Sequence, residues 1–218
     1  MQRTATLVAL ILLVATATSA LQAAQPAKRP PNPAYAQIKD DPSLPRVLLL
    51  GDSISIGYTV AVREALAGKA NVHRPAANCG PTIRGLEAID EWLGDGKWDV
   101  IHFNWGLHDL RYKEDKQQVP LPEYEKNLTT LVERLKKTGA QLIWCSTTPV
   151  PEGVSPPRKN DDVIAYNAVA AKIMKDNDVA VDDLYSFALP KLAEIQKSAN
   201  VHFSDEGSKV LAGQVAKT

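Results

Sequence analysis

Four short segments carry the residue types that acyl transfer requires: "GDSISIGY" at 51–58, "NCGPTIRGL" at 78–86, "GLHDL" at 106–110 and "VHFSDEG" at 201–207. The first follows the apolar run Val47 to Leu50, so Ser53 stands where a buried strand hands over to a helix. A serine hydroxyl is a weak nucleophile until a base takes its proton and donors hold the oxyanion that forms. Of the four histidines, His73 falls in a polar edge segment and His102 inside a central strand, where a packed, hydrogen-bonded ring is the simpler reading. His108 and His202 fall in loops at strand ends. His202 is therefore the candidate base, and its simpler alternative is a helix-entry residue with Phe203 as an apolar staple. Ser53 has its own alternative, the cap of the following helix. Donors are in reach of the same place. The Ser53 amide opens a helix, whose first N–H groups favour negative charge. Gly80, followed by Pro81, makes a tight bend whose amide can approach a substrate with no side chain in the way.

The elements that must position these residues alternate along the chain. Strands are predicted at Val47 to Leu50, Asn71 to Pro75, "WDVIHFNW" (98–105), "QLIWCSTTPV" (141–150) and "VAVDDL" (179–184). Helices are predicted at Thr59 to Ala67, stopped by Gly68, and at Thr82 to Leu93, with Ile83, Leu86, Ile89 and Leu93 on one face. Further helices follow at Pro122 to Lys137, closed by Gly139, at Asp162 to Lys175, and at Asp205 to Ala216, capped by Ser204. Five strands alternating with helices of this length predict an α/β fold, a parallel sheet covered on both faces, because parallel strands need helical crossovers. In such sheets ligands bind beyond the carboxyl ends of the strands, where all four segments fall.

The four segments, in this order, resemble the blocks of the SGNH or GDSL hydrolase family of serine esterases and lipases, from Val47 to about Val215. The resemblance implies a flavodoxin-like three-layer α/β/α sandwich with strand order 2-1-3-4-5. It implies Ser53 as nucleophile, His202 as base, and an oxyanion hole of Ser53 N–H, Gly80 N–H and the third-block side chain. Two positions depart from the family. The third block usually offers asparagine, and here the matching residue is His108, whose neutral ring still has one N–H to donate. Asn104 competes for that role but lies within the strand and reads as structural. An aspartate usually stands three residues before the base, and here that residue is Ala199, with Asn200 beside it. Asn200 or a main-chain carbonyl is then left to orient His202, giving a Ser-His dyad or triad; the alternative is an inactive scaffold.

Composition bounds the rest. The 218 residues are 44% hydrophobic and 23% charged, and 25 Lys and Arg balance 25 Asp and Glu. No basic block tracks a phosphate backbone, so nucleic acid is excluded as a partner. Residues 1–23 carry Arg3, an apolar stretch from Leu7 to Val14 and small residues suited to cleavage after Ala20 or Ala23, the form of a secretory signal peptide. Residues 24–46 are proline-rich and read as an extended leader, with the domain at 47–218. The mature protein is expected to be periplasmic or secreted, without stable membrane insertion. In the implied strand order Cys79 and Cys145 lie three strand spacings apart, roughly 14 Å, too far for a disulfide, so two free thiols are expected. No spacing of histidines, cysteines or acids forms a metal motif, and no cofactor is expected. The loops "RYKEDKQQVPLPEY" (111–124) and "TTPVPEGVSPPRKN" (147–160) are polar and proline-rich, without the apolar cluster a long acyl chain needs. A short acyl group, acetyl first, on a carbohydrate is the expected substrate. Lysophospholipid or thioester hydrolysis, or a non-catalytic carbohydrate-binding protein on the same scaffold, are the alternatives.

Overall fold

The computed structural model describes residues 30–218. In chain order its elements are β1 (Arg46–Leu50), α1 (Ser53–Ala65), β2 (Asn71–His73), α2 (Thr82–Leu93), β3 (Val100–Phe103), β4 (Tyr112–Lys113), β5 (Lys116–Gln117), α3 (Leu121–Lys136) and β6 (Gln141–Cys145). Then follow α4 (Asn160–Asp176), β7 (Ala180–Asp182), α5 (Leu184–Ala188), α6 (Leu192–Ile195) and α7 (Asp205–Val215). Five strands pair in parallel in the order β2-β1-β3-β6-β7. Since β4 and β5 form a separate hairpin, this is the expected 2-1-3-4-5 order. Helix α1 packs on α7 to form one layer, and α2, α3 and α4 pack side by side to form the other. The central strands β1 and β3 are buried on both faces: Leu48, Leu49, Leu50, Ile101 and Phe103 are each at most 1% exposed, the unbroken apolar run that a covered parallel sheet requires.

Three expectations are corrected. Helix α1 starts at Ser53, six residues before Thr59, because Asp52 caps it and its small residues serve packing rather than turn formation. A Cβ at Gly57 would meet Ser208 Oγ at 3.3 Å, so the glycine lets α1 and α7 approach closely. In α2 the buried face is Thr82, Gly85, Ile89, Trp92 and Leu93, while Ile83 and Leu86 are exposed. Small residues at 82 and 85 mark the contact with α3 that hydrophobicity alone misplaces. The proline-rich leader is docked from residue 31 onward. Ala34 is buried, Pro33 C=O accepts from Arg63 Nη1 at 3.1 Å, and Asp41 exchanges hydrogen bonds with the Asn71 side chain. The β4–β5 hairpin falls in a stretch read as a loop, and the short helices α5 and α6 fall in a stretch for which the sequence predicts no element beyond Leu184.

Candidate active site

Helix α1 begins at Ser53 because Asp52 Oδ1 accepts the Ile54 N–H at 2.9 Å. The Ser53 amide thus belongs to a first turn whose donors have no helical acceptor. His202 lies in the loop between α6 and α7. Its carbonyl accepts the Lys197 N–H at 3.0 Å, Gln196 and Phe203 form an isolated antiparallel bridge, and Gln196 Nε2 donates to Pro149 C=O at 2.9 Å. These bonds pin the loop to the segment after β6 and set His202 Nε2 2.8 Å from Ser53 Oγ, across 149 positions of chain. On the other side of the ring, Nδ1 is 2.7 Å from Asn200 Oδ1, and the same oxygen accepts the His202 backbone N–H at 2.9 Å. A backbone N–H can only donate, so the Asn200 atom it meets is the oxygen. The proton on that side must then sit on Nδ1, which leaves the Nε2 lone pair for the serine hydroxyl.

The 78–80 loop is held against the start of α1. Buried Arg74 donates to Ser55 Oγ, Thr59 Oγ1 and the carbonyls of Gly51 and Ala77, and Cys79 N–H donates to Gly51 C=O at 3.2 Å. Gly80 has φ +60°, and its N–H donates to Asn78 Oδ1 at 2.9 Å. An oxyanion at this amide therefore competes with the Asn78 side chain. After β3, Asp109 Oδ1 accepts both the Thr82 N–H at 2.8 Å and the Thr82 hydroxyl at 2.5 Å, and so caps α2 from a distance. The clamp ties the turn bearing His108 to the bend bearing Gly80. His108 is half-buried and, among the described residues, its ring makes no hydrogen bond to another residue. Burial lowers its pKa, and Arg158, Arg111 and His202 add to this against the pull of Asp52. The ring is neutral near pH 7, with one N–H to offer. Burial likewise lowers the pKa of His202, with Asp52 opposing and Lys197 and Arg158 assisting.

Residues 49–210 match the model of the GDSL-like lipase/acylhydrolase family. The chain belongs to this family. A GDSL-like acylhydrolase is a carboxylic ester hydrolase, and the chain is one. No curated protein sequence matches it. Among solved structures it is similar to the acetyl xylan esterase AlAXEase, at 17% identity over 79% of this chain and 98% of that one, with TM-score 0.68. It is also similar to a lipase/acylhydrolase from Enterococcus faecalis (20% identity, 79% and 94% covered, TM-score 0.69) and to the acetylxylan esterase Axe2 from Geobacillus stearothermophilus (20%, 79% and 93%, 0.67). At these identities the likeness is one of fold.

In this GDSL-like acylhydrolase Ser53, His202 and Asn200 are joined by hydrogen bonds. Gly80 and His108 stand on the neighbouring strand-end loops, and Asn104 is used elsewhere: its Nδ2 donates to Cys145 C=O at 2.7 Å, linking β3 to β6. Cys79 and Cys145 are free and buried, and burial pushes the Cys79 thiol up to about 11. His102 Nε2, Cys145 Sγ and an Asp182 oxygen lie within 4.8 Å of one another and could surround a metal ion. Both Asp182 oxygens are already hydrogen-bonded, Oδ2 to His102 at 3.1 Å and Oδ1 to Gln214 at 3.2 Å. Spacing could not reveal this cluster, because three strands contribute one residue each. Asn78 and Asp109 lie within the second and third blocks, but their residue types alone assign them no role there. Beside Ser53 and His202 a groove of about 470 Å³ runs over α1, walled by Ile54, Val60, Ala61 and Phe203 and rimmed by Lys197 and Lys209.

Proposed function

We propose that the protein is a periplasmic or secreted serine esterase that removes a short acyl group, acetyl first, from a carbohydrate. The observation that carries this reading is the hydrogen-bonded run Ser53 Oγ, His202 Nε2, His202 Nδ1, Asn200 Oδ1 at 2.8 and 2.7 Å. Ser53 Oγ attacks the ester carbonyl as its proton passes to His202 Nε2, while Nδ1–H stays on Asn200. The tetrahedral oxyanion takes the Ser53 N–H, the Gly80 N–H after displacing Asn78, and the His108 N–H. Preorganised donors of this kind contribute about 3 to 4 kcal/mol each to transition-state stabilisation. The imidazolium then protonates the departing alkoxide and the acyl group remains on Ser53. Water attacks the acyl-enzyme, giving its proton to Nε2, and collapse expels the acid and returns the proton to Ser53 Oγ.

The polar character of loops 111–124 and 147–160 supports a carbohydrate substrate, as does the likeness in fold to two acetylxylan esterases. The signal peptide read at 1–23 supports export; it lies outside the described residues, among which no helix is long and apolar enough to cross a membrane. The groove over α1 favours a second reading, cleavage of longer acyl chains, because its walls are apolar. Acetate release from acetylated xylo-oligosaccharides and turnover of 4-nitrophenyl esters of rising chain length separate the two. The expected outcome is acetate release and a steep fall in kcat/KM beyond a few acyl carbons, with Ser53→Ala inactive throughout. A maximum at long chains would replace the carbohydrate reading, and retained turnover in Ser53→Ala would refute the nucleophile.

A further inference from the structure

Two guanidinium groups flank the turn that bears His108. Arg111 follows His108 by three residues, and Arg158 Nε donates to the carbonyl of Leu107, the residue before it, at 2.8 Å. A backbone hydrogen bond from Tyr112 N–H to Pro157 C=O, 2.9 Å, joins the residue after Arg111 to the residue before Arg158, so the two loops close on each other there. Both arginines are half-buried. Arg158 Nη1 is tethered to Pro156 C=O at 3.0 Å and Arg111 Nη2 to Gln118 Oε1. Among the described residues no carboxylate lies within ion-pair distance of either one. Arg74, which also lacks a carboxylate, differs because its guanidinium is spent on hydroxyls and carbonyls around α1. At 111 and 158 neutral oxygens orient the groups and leave other N–H donors free. Two like charges held near each other and partly out of water repel, and an anion between them relieves the cost. Their fields reach the reacting groups: both depress the His108 pKa and Arg158 also depresses that of His202.

We propose that Arg111 and Arg158 form an anion subsite beside the oxyanion position and that it selects esters whose alcohol part carries a carboxylate. A planar carboxylate fits the paired N–H donors of a guanidinium fork. The proposal rests on the acetyl-ester reading, which leaves the charge no place on the acyl side. The substrate class is then an acetylated acidic sugar, not a neutral one.

The test uses an acetylated methyl uronoside as the free carboxylate and as its methyl ester, with acetate release as readout. The ratio of kcat/KM for the charged over the neutral probe is compared between wild type, Arg111→Gln and the double variant Arg111→Gln/Arg158→Gln. The ratio cancels any general loss of rate when Arg158 no longer braces the His108 turn. The expected ratio is about tenfold or more in the wild type, falling toward one in the variants. In wild type alone it also declines, but only in part, as ionic strength is raised to about 0.5 M, because half-buried contacts are screened less than exposed ones. A wild-type ratio at or below one with the neutral probe turned over, or a ratio that survives the double substitution, overturns the subsite and leaves the esterase standing. Turnover of neither probe sinks the acetyl-ester reading and the subsite with it.

Discussion

At the scale of single residues, the unusual feature of the proposed mechanism is an amide where a charged group would ordinarily orient the base. Asn200 Oδ1 fixes the tautomer of His202 as a carboxylate would, because it accepts from Nδ1–H, but it brings no negative charge to the imidazolium that forms during the reaction. In the proposed mechanism His202 is the base and works only when unprotonated, so kcat/KM is expected to fall as pH falls through its pKa, which burial lowers from the ordinary imidazole value. Asn200→Asp adds an opposite charge beside the ring, favours the protonated form and moves that acid limb to higher pH. The same charge stabilises the imidazolium of the transition state, and turnover above the limb is expected to rise by about tenfold. Asn200→Ala should lower turnover by a similar factor or more while leaving the fold intact. A pH profile for Asn200→Asp that superimposes on the wild type would show that residue 200 does not face the working base. Position 200 was legible as a candidate because the carboxylate's usual place is Ala199; which atom faces the ring was not, since it depends on the Asx turn in which Asn200 Oδ1 accepts the His202 N–H two residues on.

At the scale of elements, the catalytic loops are braced by buried polar side chains that periodicity cannot reveal. Asp109 is one. Its Oδ1 caps α2 through Thr82, its Oδ2 has no partner, and burial pushes its carboxyl up to about 7 against the Thr82 hydrogen bonds. An unfolded aspartate titrates near 3.9. Between roughly pH 4 and 7 the folded state therefore holds more protons than the unfolded state, and stability falls as pH rises through this window. Asp109→Asn keeps the acceptor for Thr82 and removes the buried charge. It is expected to flatten the dependence of Tm on pH between about 5 and 8, and to exceed the wild-type Tm at the upper end. Parallel curves for the two proteins would contradict this assignment. The long helices α2, α3, α4 and α7 could be read from the chain within two residues at each end, because each keeps its apolar stripe or its cap. The first turns of α1 could not be read from periodicity, and only the strand-to-helix handover at Ser53 pointed to them: "SISIG" lacks an apolar stripe, and its helical state is set by the Asp52 cap and by the fit of Gly57 against Ser208. The β4–β5 hairpin has strands of two residues, too short for alternation to register.

At the scale of the whole molecule, a parallel sheet with four separated segments at one rim follows from the alternation of strands and helices, while the strand order follows from the family resemblance; that much was open to inspection in the sequence. The part played by the leader was not. Proline-rich composition marks an absence of regular structure, yet Ala34 is buried and Asp40 bridges Arg46 at 2.8 Å and His73 at 2.7 Å. Pro33 even helps to line the groove that reaches Ser53. The sandwich brings residues 53 and 202 together only when α7, the α6–α7 loop and the end of β1 are all in place, so the proposed nucleophile activation is a property of the complete domain. The rate at which a fluorophosphonate modifies the intact protein measures it most directly, with the modified residue located by mass spectrometry. Stoichiometric modification of Ser53 in the wild type, slowed about a thousandfold or more in a folded His202→Ala variant, is the expected result. Equal rates in the two proteins, or modification at another residue, would contradict it.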